Sequence, residues 1–309
     1  MDNILAILPH SISEMIHRLP DNNLEKLEEV RLRINRPIEL MAGGNSFFLP
    51  YRLQEKDAEQ FLDKLANYSF YTLEEELKKG YITVEGGHRV GLAGKVILEE
   101  GHVKAIRNVS SFNIRIAREK IGAALPLVPQ LFKSRWRHTM IIGAPQTGKT
   151  TVLRDLARIV SSGIPEKKIP PLKVGIVDER SEIAGCVRGV PQLHFGPRLD
   201  VLDACPKAEG MMMLIRSMSP DVLIVDEIGR EEDSQAIMEA VNAGVTLIMT
   251  THGHSYEDLH KRPILRKIIQ ESVFERFIEL TRSNGPGTIH RIYDEKGNGI
   301  PLNAGVQQC

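Results

Sequence analysis

The sequence has little that would suit an exported or membrane-embedded protein. Its three cysteines, Cys186, Cys205 and Cys309, lie far apart and form no C-x-x-C pair, which fits reduced thiols in a cytoplasm and excludes a disulfide framework or a four-cysteine zinc module. No run approaches the roughly 20 apolar residues of a membrane span. The opening Met-Asp-Asn-Ile-Leu-Ala-Ile-Leu-Pro9 lacks a positive region and an A-x-A cleavage site, so no signal peptide is expected. The expectation is a cytoplasmic protein with no direct membrane insertion, whose membrane role, if any, comes through a partner. Charge of one sign is missing too: 40 Lys plus Arg balance 40 Asp plus Glu, and without a global basic excess a nucleic-acid partner is disfavoured.

What is present centres on Gly143-Ala-Pro-Gln-Thr-Gly-Lys-Thr150, which meets every fixed position of G-x-x-x-x-G-K-[ST]. Arg137–Ile142 reads as a strand entering it, and Val152, Leu153, Leu156, Ile159 and Val160 follow at helical spacing. The expected phosphate cradle is Gly143, Ala144, Pro145, Gln146, Thr147, Gly148, Lys149, Thr150 and Thr151. Its glycines let backbone N–H groups converge on a polyphosphate at a helix N-terminus. Lys149 supplies a cation for the β- and γ-phosphates, and the Thr150 hydroxyl is the expected Mg²⁺ ligand.

A second anchor is Asp221-Val-Leu-Ile-Val-Asp-Glu227, a short apolar run ending in two acids, as a central parallel strand delivering a carboxylate would read. Asp226 is the expected second Mg²⁺ ligand, and Glu227 is a candidate to polarise the attacking water. Another strand, Val174–Val177, runs into Asp178-Glu-Arg-Ser-Glu182, and Val245–Met249 runs into Thr250-Thr-His252. Lys149, Asp178, Glu179, Asp226 and Thr251 are expected to converge, with His252 placed to sense the γ-phosphate. His252 and His254 alone offer too few ligands for a metal. Residues 185–206, rich in Gly and Pro, read as a long ordered loop, and the Met211–Met213 run on the next helix reads as core filling.

Upstream, helical residues flank Pro9, Glu29–Asn35 alternates as a half-buried strand, and a hairpin follows. Ala58, Phe61, Leu62 and Leu65 mark one helix and 72–79 a second, before an antiparallel meander to Ile116. Residues 1–120 are thus a small α+β domain, 121–134 with two prolines a linker, and 135–309 a parallel-sheet domain. Arg31, Arg33, Arg89, Arg107, Arg115 and Arg118 read either as a solvated sheet face or as donors reaching a nucleotide on this or a neighbouring subunit.

No N-K-x-D follows the P-loop, which favours ATP over GTP, and no L-S-G-G-Q signature is present. In its order of P-loop, acidic box, Asp226-Glu227 strand and histidine, behind a small α+β domain, the chain resembles the secretion ATPases of type II and type IV systems. Through Glu28–Arg33, Gly86–Gly91, Gly143–Thr150, Val177–Glu182 and Leu223–Arg230 it is similar over its whole length to the stage III sporulation AA family of endospore-forming bacteria. The resemblance implies an α/β, RecA-like P-loop ATPase domain and a homo-hexameric motor using ATP and Mg²⁺. The partners implied are membrane-embedded secretion-channel proteins between mother cell and forespore, reached from the mother-cell side. It also implies a catalytic glutamate in the acidic box, Glu179 or Glu182 by position. The chain departs from the secretion pattern by keeping a full Asp226-Glu227 pair, so Glu179 and Glu227 both stand as candidates to orient the water, with Lys149 and His252 as the other catalytic candidates. Two other readings remain open: a RecA-like motor stimulated by nucleic acid, and a nucleotide-controlled assembly switch.

Overall fold

The structure is a computed structural model that describes residues 1–66 and 80–302. The helix expected over 72–79 lies outside the described residues. The chain divides into two compact units, Met1–Arg118 and Glu119–Cys309.

The first unit is built on six antiparallel strands: β1 (Leu27–Arg33), β2 (Pro37–Ala42), β3 (Asn45–Arg52), β4 (Tyr81–Val84), β5 (His88–Glu99) and β6 (His102–Arg115). Their order is β3-β2-β1-β6-β5-β4. Alternation along β1 buries Leu27, Val30 and Leu32, and helices α1 (Asp2–Ile7), α2 (His10–His17) and α4 (Glu55–Ala66) add Ile4, Ile12, Ile16 and Phe61 to the same core. Pro9 separates α1 from α2, since it cannot continue a helical hydrogen-bond ladder. A short α3 spans Asp21–Glu25. Several arginines here are engaged locally: Arg31 pairs with Glu29 at 2.8 Å, Arg33 with Glu39 at 2.7 Å, and the Arg118 guanidinium donates to the Leu27 carbonyl at 2.8 Å. Arg89 lies 3.5 Å over the Tyr81 ring, a cation–π contact.

The second unit holds eight strands: β7 (Thr139–Gly143), β8 (Val174–Asp178), β9 (Leu199–Asp203), β10 (Val222–Val225), β11 (Thr246–His252), β12 (Arg276–Thr281), β13 (Thr288–Asp294) and β14 (Gly299–Ile300). They run in the order β14-β13-β12-β7-β11-β10-β8-β9. Neighbours from β12 to β9 are parallel, and β13 and β14 close one edge antiparallel. β7, β8 and β10 are buried along their whole length, which is why they read as unbroken apolar runs.

Alternation splits each strand between two layers. Ile141, Ile176, Ile224 and Ile248 pack under the helix α6 (Lys149–Ser162), whereas Met140, Ile142, Leu223, Val225 and Leu247 pack under α7 (Lys207–Ser217) and α8 (Glu231–Asn242). Short helices α9 (Tyr256–His260) and α10 (Pro263–Gln270) cover the second layer.

Two stretches differ from the sequence expectation. The 121–134 segment holds α5 (Val128–Leu131), and Ala124, Leu127 and Leu131 are fully buried in the second unit's core. Its prolines sit in the first turn of a 3-10 turn and of α5, where a missing N–H costs nothing. The stretch 185–206 is not loop throughout, because Leu199–Asp203 forms β9, parallel to β8 in the register Val174↔Leu199 to Asp178↔Asp203. Being a half-buried edge strand of five residues, it offers no apolar run for the eye to find.

Candidate functional site

The P-loop joins the end of β7 to the start of α6. Gly148 caps α6 with φ 91°, a left-handed conformation that favours glycine. A Cβ there would also stand 2.6 Å from the Gly287 backbone nitrogen, and one at Gly143 would stand 2.3 Å from Thr147 Oγ1. The first contact arises because the turn after β12 is laid over the loop: the Gly287 N–H donates to the Thr147 carbonyl at 2.7 Å, and Arg282 donates to Gln146 Oε1 at 3.0 Å.

Under the loop is a cavity of about 320 Å³ lined by Pro145, Gln146, Gly148, Lys149, Thr150, Thr151, Glu182, Glu227, His252 and Pro286. Lys149, 5% exposed, donates through Nζ to the carbonyls of Gly143 at 2.9 Å and Ala144 at 3.1 Å. Burial pushes its ammonium below the ordinary lysine value, against the pull of Asp226, Glu227 and Glu182. Its third neighbour is His252 Nδ1 at 3.3 Å. An ammonium only donates, so Nδ1 accepts, and the ring proton sits on Nε2, 2.8 Å from Glu227 Oε1. Lys149, His252 and Glu227 form one chain.

β10 ends one strand beyond β11 and brings in Asp226. Thr150 Oγ1 donates to Asp226 Oδ2 at 2.9 Å, and Thr250 Oγ1 donates to Asp226 Oδ1. Thr250 also accepts the Glu227 N–H at 2.8 Å. Glu227 stands at φ 55° and Gln146 at φ 62°. Side chains other than glycine seldom take that region, and such strain gathers at functional sites. The second Glu227 oxygen accepts from Arg180 at 3.0 Å.

The acidic box is arranged differently from the expected single convergence. Asp178 is 2% exposed and accepts the N–H groups of Glu182, Ile183 and Ala184 at 2.8 to 2.9 Å. Burial pushes its carboxyl up to about 6, with those three donors pulling back. It therefore shapes the loop and does not face the P-loop cavity. Arg154 on α6 holds the same loop from the other side, donating to the Ile183 carbonyl at 2.7 Å and the Glu182 carbonyl at 2.8 Å. Glu182 is thus carried to the cavity wall.

Glu179 lies in the adjoining crevice with Asp178, Arg180, Lys207, Asp226 and Glu227. Lys207 Nζ donates to its Oε2, and Arg230 stands 3.5 Å from its Oε1. Burial raises its pKa, but Lys207, Arg230 and Arg180 together outweigh that and hold the carboxyl below its usual range. Thr251 is turned away: its hydroxyl is spent on the Ile228 carbonyl at 3.0 Å and is fully buried. Period two decides between neighbours, so Thr250 is the hydroxyl that meets the acids.

Sequence reasoning missed Thr250, Arg154, Lys207 and Arg230. Only Thr250 had a usable signal, its place on the strand opposite Thr251. Among the described residues no group of three or more His, Cys, Asp or Glu is disposed to hold a metal ion by itself.

A family model described as "Sporulation stage III, protein AA" matches residues 1–300. The chain is 57% identical over 309 residues to the Stage III sporulation protein AA of Bacillus subtilis (strain 168), covering all of both chains. It is 26% identical over 276 residues to the ycf45 protein of Porphyra purpurea, spanning 87% of this chain and 43% of that one. Among solved structures, the ATPase DotB of Legionella pneumophila matches with a TM-score of 0.55 at 15% identity, over 88% of this chain and 76% of that chain. The pilus retraction motor PilT, solved with bound ADP, matches with a TM-score of 0.56 at 14% identity over 84% and 76%. At such identities the likeness is one of fold: a P-loop parallel-sheet domain behind an antiparallel-sheet domain.

Proposed function

The chain belongs to the Sporulation stage III, protein AA family, and from that premise we propose that it is a Mg²⁺-dependent ATP hydrolase, a ring motor for a channel complex between mother cell and forespore. The observation that carries the ATPase reading is the 2.9 Å contact of Thr150 with Asp226, beside a Lys149 ammonium hydrogen-bonded to the loop's own carbonyls and His252. Those are the partners a phosphate and its metal would replace. The fold of DotB and PilT supports the same reading.

Mg²⁺ suits the Thr150 hydroxyl and the Asp226 carboxylate, an all-oxygen set, and when bound would supply positive charge to offset that of the phosphates. The residues of the chain supply the remainder. The loop N–H groups and Lys149 hold the phosphates, and His252, in its Nε2–H form, links the γ-phosphate position to Glu227. Glu227 orients the attacking water, with Glu179 as the acidic-box candidate and Glu182 on the same cavity wall. None of the described helices is long and apolar enough to cross a membrane, so attachment to a channel falls to partner proteins in this reading, on the mother-cell side.

The test is ATP turnover per chain across a protein-concentration series, with and without single-stranded DNA. Specific activity that climbs with concentration and ignores DNA is expected, because a ring completes its sites between subunits. A flat series that jumps only with DNA would replace this motor with a nucleic-acid one.

Arg154 gives a second expectation. Its loss removes a donor from the Glu182 and Ile183 carbonyls, a cost of about 1–3 kcal/mol each where buried. Arg154→Met is expected to lower kcat by about tenfold or more with a smaller change in KM, since it moves Glu182 and not the phosphate cradle. Steady-state kinetics beside a thermal melt separates that from simple unfolding, and Arg154→Lys, which cannot bridge both carbonyls in one plane, is expected to restore only part.

A further inference from the structure

A second cavity on the second unit's surface lies away from the P-loop. It is a groove of about 820 Å³ between α7 and α8. Glu209, Met212, Met213 and Arg216 line it from α7 and Glu232, Gln235, Ala236 and Glu239 from α8. Each set falls at i, i+3, i+4 and i+7, so each helix turns one stripe into the groove. Of the three methionines expected to fill the core, Met211 does so, fully buried, whereas Met213 is 52% exposed. The apolar floor is Met212, Met213, Ala208 and Ala236, and the rim carries Glu209, Glu232 and Glu239 against the single Arg216. No ion pair among the described residues neutralises those three glutamates.

Both helices start at the catalytic end. Lys207 is the first residue of α7 and Arg230 is the N-cap of α8, and both reach the Glu179 carboxylate. The next residue, Arg180, holds Glu227. A change in the spacing of α7 and α8 therefore moves the two cations that fix Glu179.

We propose that this groove docks a short amphipathic helix of a partner protein, apolar on one face and rich in Lys or Arg at its edges, and that docking adjusts ATP turnover through Lys207, Arg230 and Glu179. The docking half stands on the groove alone, and the coupling half rests on the ATPase reading above. Methionines suit such a surface because their flexible side chains repack around a helix. The glutamate rim selects a basic segment over an acidic one.

The probes are a labelled amphipathic peptide of leucine and lysine and its counterpart of leucine and glutamate. Binding is followed by fluorescence anisotropy on the full chain without nucleotide, so the outcome does not depend on hydrolysis. The wild type is expected to take the Leu/Lys peptide at least about tenfold more tightly than the Leu/Glu peptide, the three rim glutamates acting together being enough for such a ratio. Glu232→Lys/Glu239→Lys is expected to reverse that order while keeping basal turnover. Met213→Asp is expected to weaken both peptides. Equal affinity of wild type and charge-reversed protein for either peptide would overturn the docking site. So would loss of self-association in Met213→Asp by sedimentation, which would give the groove to a second copy of the chain. ATP turnover with saturating Leu/Lys peptide is expected to change at least twofold. Tight binding with unchanged turnover in an active wild type overturns the coupling, whereas a wild type with no turnover overturns the ATPase reading and leaves the binding result standing.

Discussion

Lys149→Ala is expected to abolish ATP turnover and to weaken nucleotide binding by about 10- to 100-fold, the worth of a charge-assisted contact of about 1.5–3 kcal/mol. The side chain is buried and already tied to two loop carbonyls and His252, so the cation is in place before any phosphate arrives. Its removal also frees the loop from holding a desolvated charge, which offsets the lost hydrogen bonds. The fold is therefore expected to hold, with a melting temperature within a few degrees of the wild type, since about 1 kcal/mol moves a domain of this size by about 2–4 °C. Nucleotide titration and a thermal melt on the same sample check both halves. Unchanged turnover would remove the P-loop assignment.

Glu227→Gln is expected to keep ATP bound and to slow turnover by about 10²- to 10⁴-fold, the usual worth of a positioned acid or base. Glutamine fits the same space, but its amide cannot accept from both Arg180 and His252, so one of the two contacts at 3.0 and 2.8 Å must go. Glu179→Gln is expected to slow turnover as well, by loosening its hold on Lys207 and Arg230. Single-turnover kinetics on both variants, with binding measured separately, tells these apart. If one variant is fully active, the other residue carries the water, and if both are, the role passes to Glu182 on the cavity wall.

How far the sequence could be read depended on the range of each contact. The strand, turn and helix around Gly143–Thr150, and the strand ending at Asp226, were legible because their patterns are local and their apolar runs unbroken. β9 was hidden because a half-buried edge strand keeps polar residues on both faces. The prolines at 126 and 129 suggested a connector, yet they sit where a helix tolerates them, and Ala124 and Leu131 were free to enter the core. Arg154 looked like one more charged helix residue, and its task became visible only when the loop 28 and 29 residues downstream folded against it. The place of Glu182 on the cavity wall follows from the loop N–H groups that Asp178 captures, and spacing carries no record of that choice.

The turn between β12 and β13 reaches back more than a hundred residues to close over the P-loop, through Gly287 on Thr147 and Arg282 on Gln146. A fragment ended after β11 would contain every recognisable nucleotide motif and would still lack the turn that covers the P-loop, as well as β12, the parallel neighbour of β7. In the proposed ATPase reading, the shortest piece of this protein expected to hold a nucleotide is thus longer than its motifs suggest. Lengthening that exposed-looking turn, an edit most surface loops tolerate, would here act directly on the P-loop.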